Sequence, residues 1–268
     1  MTFGKNESVA PKISVVTVSL NRCSELEGTI KSVLAQSYPN LEYLIIDGGS
    51  DDGSVDLIRQ SSSRIQYWVS EPDHGIYDAM NKGTRAATGE WIVFMNAGDR
   101  FHDDAVVADM FAEPHNDADL VYGHTLLWYA REGVGKFIPA ESTAALPLRM
   151  NCSHQSLFAR RSLLVSIPFS LGLMVADYEF IVRMHKEGRR FKIVDRIVSI
   201  YVNGGISDMN RLRSLAQRWR IATRYGLMTL RRSLSYLVMG MRAGPGPYMK
   251  RILPRQLTVW ILRRKRID

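Results

Sequence analysis

Cysteine is scarce: 268 residues hold only Cys23 and Cys152, with neither metal nor redox spacing. A reducing compartment is the default, with both sulfurs expected in the core as small apolar side chains. No uninterrupted apolar run approaches the ~20 residues that a bilayer-crossing helix needs. The opening residues, MTFGKNESVAPK, lack the apolar stretch of a secretory signal and read as a mobile lead over 1–12. Gly-x-Gly-x-x-Gly does not follow the first apolar run, and Gly-x4-Gly-Lys-Ser/Thr occurs nowhere. A pyrophosphate cradled on a glycine-rich helix start is therefore not expected. His74, His102, His115, His124 and His185 show no metal-ligand spacing. Acid is missing from one end: residues 211–268 carry 15 Lys and Arg against one acid, while residues 1–210 carry 20 against 26. A mildly acidic body with a strongly basic tail implies an anionic partner, whether membrane surface, nucleic acid or acidic protein.

What is present is a sequence of apolar runs that end in polar residues. Residues 13–19 (ISVVTVS) read as a strand followed by Asn21 and Arg22, and Ser24 is placed to cap a helix over 24–36. Residues 41–46 form a second strand running into Asp47-Gly48-Gly49-Ser50-Asp51-Asp52-Gly53-Ser54. A short helix over 54–60, in which Asp51 and Asp52 are expected to act as caps, and a third strand over 65–69 follow. Residues 75–88 read as a helix with Ile76, Ala79, Met80, Gly83 and Ala87 on one side. Its Tyr77, Asp78, Asn81 and Lys82 are too polar for packing alone. Residues 91–95 (WIVFM) then make a strand buried on both faces, set directly against Asn96-Ala97-Gly98-Asp99. Strands alternating with helices give a parallel α/β sheet. Ligands of such sheets sit beyond the carboxyl ends of the strands, where Thr17, Asn21, Asp47, Asn96 and Asp99 fall. Carboxylates repel phosphate unless a cation lies between them, so a divalent metal is expected there.

Beyond residue 100 the pattern predicts a helix over 103–111, a hairpin of strands over 119–129 and 136–138, and a helix over 177–186 ended by Gly188. Two short strands over 191–194 and 197–201 come next. The basic end is helical, with Leu212, Leu215, Ala216, Trp219 and Ala222 as an apolar stripe and a second apolar piece over 234–241. After a Gly-Pro break, a last helix carries Met249, Ile252, Leu253, Leu257, Trp260 and Ile261 and ends in Arg263-Arg264-Lys265-Arg266. This is the make-up of helices that lie in a membrane interface.

Several motifs in order resemble the family 2 glycosyltransferases. They are Val15-Val16-Thr17-Val18 with Asn21-Arg22, then Ser32-Val33-Leu34-Ala35-Gln36-Ser37-Tyr38-Pro39, and Leu44-Ile45-Ile46-Asp47 with its glycine- and aspartate-rich loop. Ala79-Met80-Asn81-Lys82-Gly83, Gly89-Glu90-Trp91 with Asn96-Ala97-Gly98-Asp99, and Ala176-Asp177-Tyr178-Glu179 complete the set. Ser70-Glu71-Pro72-Asp73-His74-Gly75-Ile76-Tyr77-Asp78 resembles the branch that makes bacterial surface polysaccharides of the O-antigen and colanic acid type. The resemblance implies a GT-A-type nucleotide-sugar-binding fold over 13–207, with a nucleotide half over 13–100, an acceptor half over 101–207 and a basic helical tail over 208–268. It implies an inverting enzyme that moves a sugar from a nucleotide-sugar donor, a UDP- or GDP-sugar, to a hydroxyl of a growing, lipid-linked glycan with undecaprenyl as the carrier. Thr17, Asn21, Asp47, Asp78, Lys82 and Asn96 would bind the nucleotide-sugar, and Asp99 would hold Mg2+ or Mn2+ as the one carboxylate left of the family's acidic motif. The family's arginine position is Met80 here, which leaves the phosphate contact to Lys82 or Arg85. Asp177 would be the general base, and His154, Gln155 and Glu179 would line the acceptor or donor-sugar pocket. The expected place is the cytoplasm, peripheral on an anionic inner membrane face through the tail, with no nucleic acid bound. A sugar-nucleotidyltransferase and a non-catalytic membrane or nucleic-acid adaptor are the alternatives. The first would need a basic glycine-rich loop after the first strand, and Asn21-Arg22-Cys23-Ser24 is not one.

Overall fold

The structure is a computed structural model, and it describes residues 10–202 and 210–243. The first apolar runs become strands β1 (Ile13–Ser19), β2 (Leu41–Asp47), β3 (Tyr67–Ser70) and β4 (Trp91–Phe94). All pair in parallel, in the order β3-β2-β1-β4. Parallel neighbours need crossovers, and helices α1 (Cys23–Leu34), α2 (Ser54–Ser61) and α3 (Ile76–Ala86) provide them. Every residue of β1 is buried because both sheet faces are covered. Ile13 and Val15 pack with Leu26 and Ile30 of α1 and Ile58 of α2. Val16 and Val18 pack on the other face with Ala79 and Met80 of α3. Gly83 is needed where α3 crosses β1, since a Cβ there would lie 2.4 Å from Val16 Cγ1.

The same sheet continues through β5 (Arg100–Phe101), β6 (Leu120–Tyr129), β7 (Val134–Ile138), β8 (Leu157–Arg160) and β9 (Phe191–Val202). The full order is β3-β2-β1-β4-β8-β6-β9-β5, with β7 on β6. β8 runs antiparallel to both β4 and β6, whereas β9 is parallel to β6. Helices α4 (Val106–Met110), α5 (Arg161–Ser166) and α6 (Ala176–Lys186) cover this half. The α/β class with a parallel nucleus is the one expected.

Several local expectations are corrected. Ser24 lies inside α1, whose N-cap is Arg22; the N–H of Cys23 donates instead to Asp52 Oδ2 across the loop, 2.8 Å away. Cys23 is only partly buried, in the exposed first turn, while Cys152 is in the core. Ile76 is 38 % exposed because it opens α3 at the sheet edge. Residues 191–202 form one strand, with the break in pattern absorbed by register shifts around His124. Helix α5 and the two-residue strand β5 had no periodic signal long enough to read.

Helices α7 (Arg211–Arg224) and α8 (Leu230–Ala243) follow. α7 buries part of the stripe expected to face a membrane interface. Ser214, Leu215, Ile221 and Ala222 are buried, and Leu212 and Trp219 face out. Ile221, Ala222 and the following Leu227 join the core that contains Val16 and Met80. Gln217 Oε1 also accepts the Met174 N–H at 2.8 Å. Among the described residues no helix is long and apolar enough to cross a membrane. Of the lead expected to be mobile over 1–12, residues 10–12 are tied to the body, since the Ala10 and Pro11 carbonyls accept from Asn40 Nδ2 and the Tyr38 hydroxyl and Lys12 Nζ donates to Glu42; residues 1–9, the segment 203–209 and the last basic helix lie outside the described residues.

Candidate active site

The loops at the carboxyl ends of β1 and β2 are tied to each other. Asn21 adopts φ +51°, donates its N–H to Ser50 Oγ at 2.8 Å and accepts the Asp51 N–H on Oδ1 at 3.0 Å. Asp52 holds two helix starts, taking Cys23 N–H on Oδ2 and Ser54 N–H on Oδ1, as helix N-termini require. Asp47 is fully buried. Its Oδ2 accepts the N–H groups of Gly49 and Ser50 and the Ser70 hydroxyl, and its Oδ1 accepts the Ser50 hydroxyl. These bonds make Asp47 the organiser of the loop, a correction to the nucleotide contact expected of it. Thr17 is corrected too. It shares a strand face with Ile13 and Val15, so its hydroxyl turns into the core, donating to the Met95 carbonyl at 2.8 Å beside the Tyr43 hydroxyl.

Helix α3 brings its polar residues to the same edge, each to a different task. Asp78 accepts the His74 N–H at 3.0 Å and closes the start of the helix. Lys82 does not pair with Asp78; its ammonium reaches back to Glu71 Oε1 at 2.7 Å and the Pro72 carbonyl at 2.9 Å. Asn81 grips the Phe169 backbone through both N–H and C=O. Met80 is in the core, and Arg85 falls in the last turn, at the far end of α3. One residue that the sequence did not single out is Asp73. Its Oδ2 would lie 2.7 Å from a Cβ on Gly48, so the missing side chain of Gly48 makes room for that carboxylate at the end of β2.

The centre of the site joins three distant segments. His154 and Gln155 sit on a one-turn 3-10 helix (His154–Ser156) before β8. His154 Nδ1 donates to Asp177 Oδ2 at 3.2 Å, and its Nε2 lies 3.0 Å from Asn96 Nδ2. Asp177, in the first turn of α6, takes the Tyr77 hydroxyl at 2.9 Å and the Tyr178 N–H at 2.8 Å on Oδ1. Burial pushes the Asp177 carboxyl up, but the bond to His154 and its charge, with the Tyr178 and Tyr77 donors, outweigh burial and hold it below its ordinary value. Burial presses His154 the other way, and the Asp177 bond and the charges of Asp177 and Asp99 raise it. Asp99 is pushed up to about 6 by burial, only partly offset by His154, Gln155 and Arg22. Thus Asn96, Asp99, His154, Gln155 and Asp177 are brought together as the sequence suggested. Tyr77 joins them through a contact spanning 100 residues that no local pattern announces. Glu179 is corrected: two residues on from Asp177 in a helix, it faces α7 and meets Arg224 at 3.5 Å.

The donor set fits a divalent ion shared with a substrate. Among the described residues no group of three or more His, Cys, Asp and Glu gathers, so the protein alone makes no closed metal cage. Yet Asn96 Oδ1 is buried without a hydrogen-bond partner, three residues from an Asp99 carboxyl whose charge is poorly compensated. A cation beside these oxygens, completed by phosphate oxygens and water, would answer both deficits.

A model of the family described as glycosyl transferase family 2 matches residues 14–163. A PGL/p-HBAD biosynthesis glycosyltransferase of Mycobacterium tuberculosis (strain ATCC 25177 / H37Ra) is 29 % identical over 227 residues, 81 % of this chain and 88 % of that protein. Among solved structures, the mannosyltransferase PcManGT of Pyrobaculum calidifontis, in complex with GDP-Man and Mn2+, superposes with a TM-score of 0.64 at 16 % identity, over 96 % of this chain and 85 % of that one. S. aureus TarS gives 0.63 at 16 % identity over 88 % of this chain, which spans only 44 % of TarS. At such identity these structures speak for the fold alone.

Proposed function

Since the chain belongs to glycosyl transferase family 2, we propose that it moves a sugar from a UDP- or GDP-sugar to a hydroxyl of a growing, lipid-linked polysaccharide, inverting the anomeric carbon. The observation that carries this reading is a pair of carboxylates at one sheet edge with opposite environments. Asp99 is pushed up to about 6 by burial, whereas Asp177, despite burial, is held below its ordinary value by the donors around it. Groups driven apart in this way take different parts in a reaction.

Asp177 is the general base. Its Oδ1 is filled by the Tyr77 hydroxyl and the Tyr178 N–H, while among the described residues Oδ2 carries the His154 bond alone and keeps a lone pair for a substrate proton. The acceptor oxygen attacks the anomeric carbon on the face opposite the diphosphate and passes its proton to Asp177 Oδ2. The bond from that carbon to the diphosphate oxygen breaks, and its electron pair leaves with the nucleoside diphosphate. His154, held between Asn96 and Asp177, keeps the base oriented. Asp99 and Asn96 would hold Mg2+ or Mn2+, which supplies positive charge against the diphosphate as it departs. PcManGT with GDP-Man and Mn2+ and TarS 1-349 with UDP support the donor class; the teichuronic acid name of the Bacillus subtilis relative TuaG supports a polysaccharide product. A lipid-linked acceptor lies at a membrane, and we read the basic residues 211–268 as what keeps the protein on an anionic inner leaflet.

A thermal-shift screen of UDP- and GDP-sugars, with and without Mn2+, tests the reading, because a bound ligand raises stability by mass action. One donor should stabilise the protein, more so with Mn2+, and Asp99→Ala should abolish the Mn2+ increment together with most donor turnover. An Asp99→Ala enzyme with unchanged turnover and an unchanged response to EDTA would remove Asp99 from the metal site.

A further inference from the structure

The C-terminal helices divide a labour that composition assigns to both. α7 is half sunk in the core through Leu215, Ile221 and Ala222. Among the described residues, α8 is held along one side: Tyr236 is buried, the Trp219 indole N–H reaches Ser233 Oγ at 3.5 Å, and Arg232 donates to the Leu227 carbonyl. Its opposite side presents Leu230, Leu234, Leu237, Val238 and Met241, each between 42 % and 80 % exposed. Their spacing, i, i+4, i+7, i+8 and i+11, places them on one stripe of a helix. Exposed Arg231 borders it, and exposed Arg213 and Arg220 share a face of α7 seven residues apart. No acid occurs anywhere in residues 211–243.

We propose that α8 is a membrane-contact element that lies flat in an anionic bilayer surface with this stripe in the acyl boundary, and that α7 is the strut fixing it to the catalytic body. The inference rests on the membrane reading of residues 211–268 and deepens it by naming the face. A 14-residue helix is about 21 Å long, too short to span the hydrocarbon but suited to lie along its edge. An apolar stripe edged by arginine, with no acid beside it, matches a surface that is apolar within and negatively charged at its headgroups.

The test uses the full chain, because a truncation before α7 would strip Ile221, Ala222 and Leu227 from the core. Sedimentation with vesicles of phosphatidylcholine containing one-third phosphatidylglycerol should show binding that weakens with salt. The double variant Leu234→Asn/Leu237→Asn should bind at least 10-fold more weakly, with its melting temperature and its stabilisation by donor unchanged, because both side chains are solvent-facing in the free protein. In a second variant, Leu237→Trp, lipids brominated on the acyl chains should quench the added indole. Wild-type binding by the double variant, with no quenching, would overturn the α8 inference while leaving a basic membrane anchor elsewhere in the tail. No vesicle binding by the native chain would overturn both. A drop in melting temperature without vesicles, or a dimer dissociated by the double variant, would assign the stripe to this chain's own later residues or to a second copy, and would also overturn it.

Discussion

Two carboxylates, buried Glu42 and partly buried Asp99, stand at opposite ends of the parallel strands, and they are treated in opposite ways. At the amino ends of β1 and β2, Glu42 accepts from Lys12 Nζ, the Ser14 hydroxyl, and both the N–H and hydroxyl of Thr88. Burial pushes it up, but these donors more than offset burial and hold it down at about 2. At the carboxyl end of β4, Asp99 is pushed up to about 6 and its neighbour Asn96 keeps an unpaired buried oxygen. One end is closed by its own chain and stabilises the sheet. The other is left short of positive charge and donors, and on the proposed reading it is the end that a substrate completes. Stability and function are thus separated along one set of strands.

Four experiments press on that contrast. The largest effect belongs to Glu42→Ala, which removes the acceptor of four donors. Breaking such a buried pair costs about 3 kcal/mol or more, read as a lower urea midpoint, while donor binding by the folded fraction should persist. Because the folded pKa of Glu42 lies below its unfolded value, its contribution is full above about pH 4.5 and is lost as pH falls toward 2. The variant should lack that part of the acid unfolding curve; an unchanged curve would deny Glu42 its structural part. Next comes Asp177→Asn, expected to lower kcat by ~10²-fold or more with donor affinity kept, the scale of general base catalysis. Loss of donor affinity with normal turnover would make Asp177 a binding residue instead. Tyr77→Phe removes one hydrogen bond to that carboxylate and should lower kcat by about 10-fold. The acid limb of the pH–kcat profile should move to higher pH, since the charged base loses a donor; a KM change alone would make Tyr77 only a wall of the pocket. The smallest effect is Asp99→Asn in the free protein. A folded pKa raised above the unfolded one means that stability falls as pH rises toward 6 and stays lower beyond it. Because Asp99 keeps part of its surface in solvent, which screens the charge, removing it should stabilise the protein only modestly at pH 7.5, with no gain at pH 4. Equal stability at both pH values would show that Asp99 is compensated after all.

The sequence carried the parallel nucleus because β1, β2 and β4 are apolar on both faces and alternate with helices of clear period. It also carried the membership of Asn96, Asp99, His154, Gln155 and Asp177 in one site, through motifs rather than through any local signal of contact. Thr17 was misjudged although its face was legible, since a period of two puts it with Ile13 and Val15. Asp47 could not be judged, because its partners Ser50 and Ser70 lie in loops whose path no propensity fixes. The start of α1 was misplaced because its cap, Asp52, comes from a different loop. The basic end misled for a related reason: α7 buries a serine at its contact with the body and turns Trp219 outward, so composition alone could not say which stripe faces inward.

The insertion of β8 between β4 and β6 also bears on how the chain is made. β4 is four buried residues, Trp91 to Phe94, and its outer edge is covered only when residues 157–160 arrive. On a ribosome, some sixty residues of synthesis separate the two. At 5–20 residues per second that leaves a bare apolar edge for roughly 3–12 s, long enough for an exposed strand to find a wrong partner. Full coverage of this edge therefore waits for translation of the second half, and residues 13–100 made alone would be prone to aggregate.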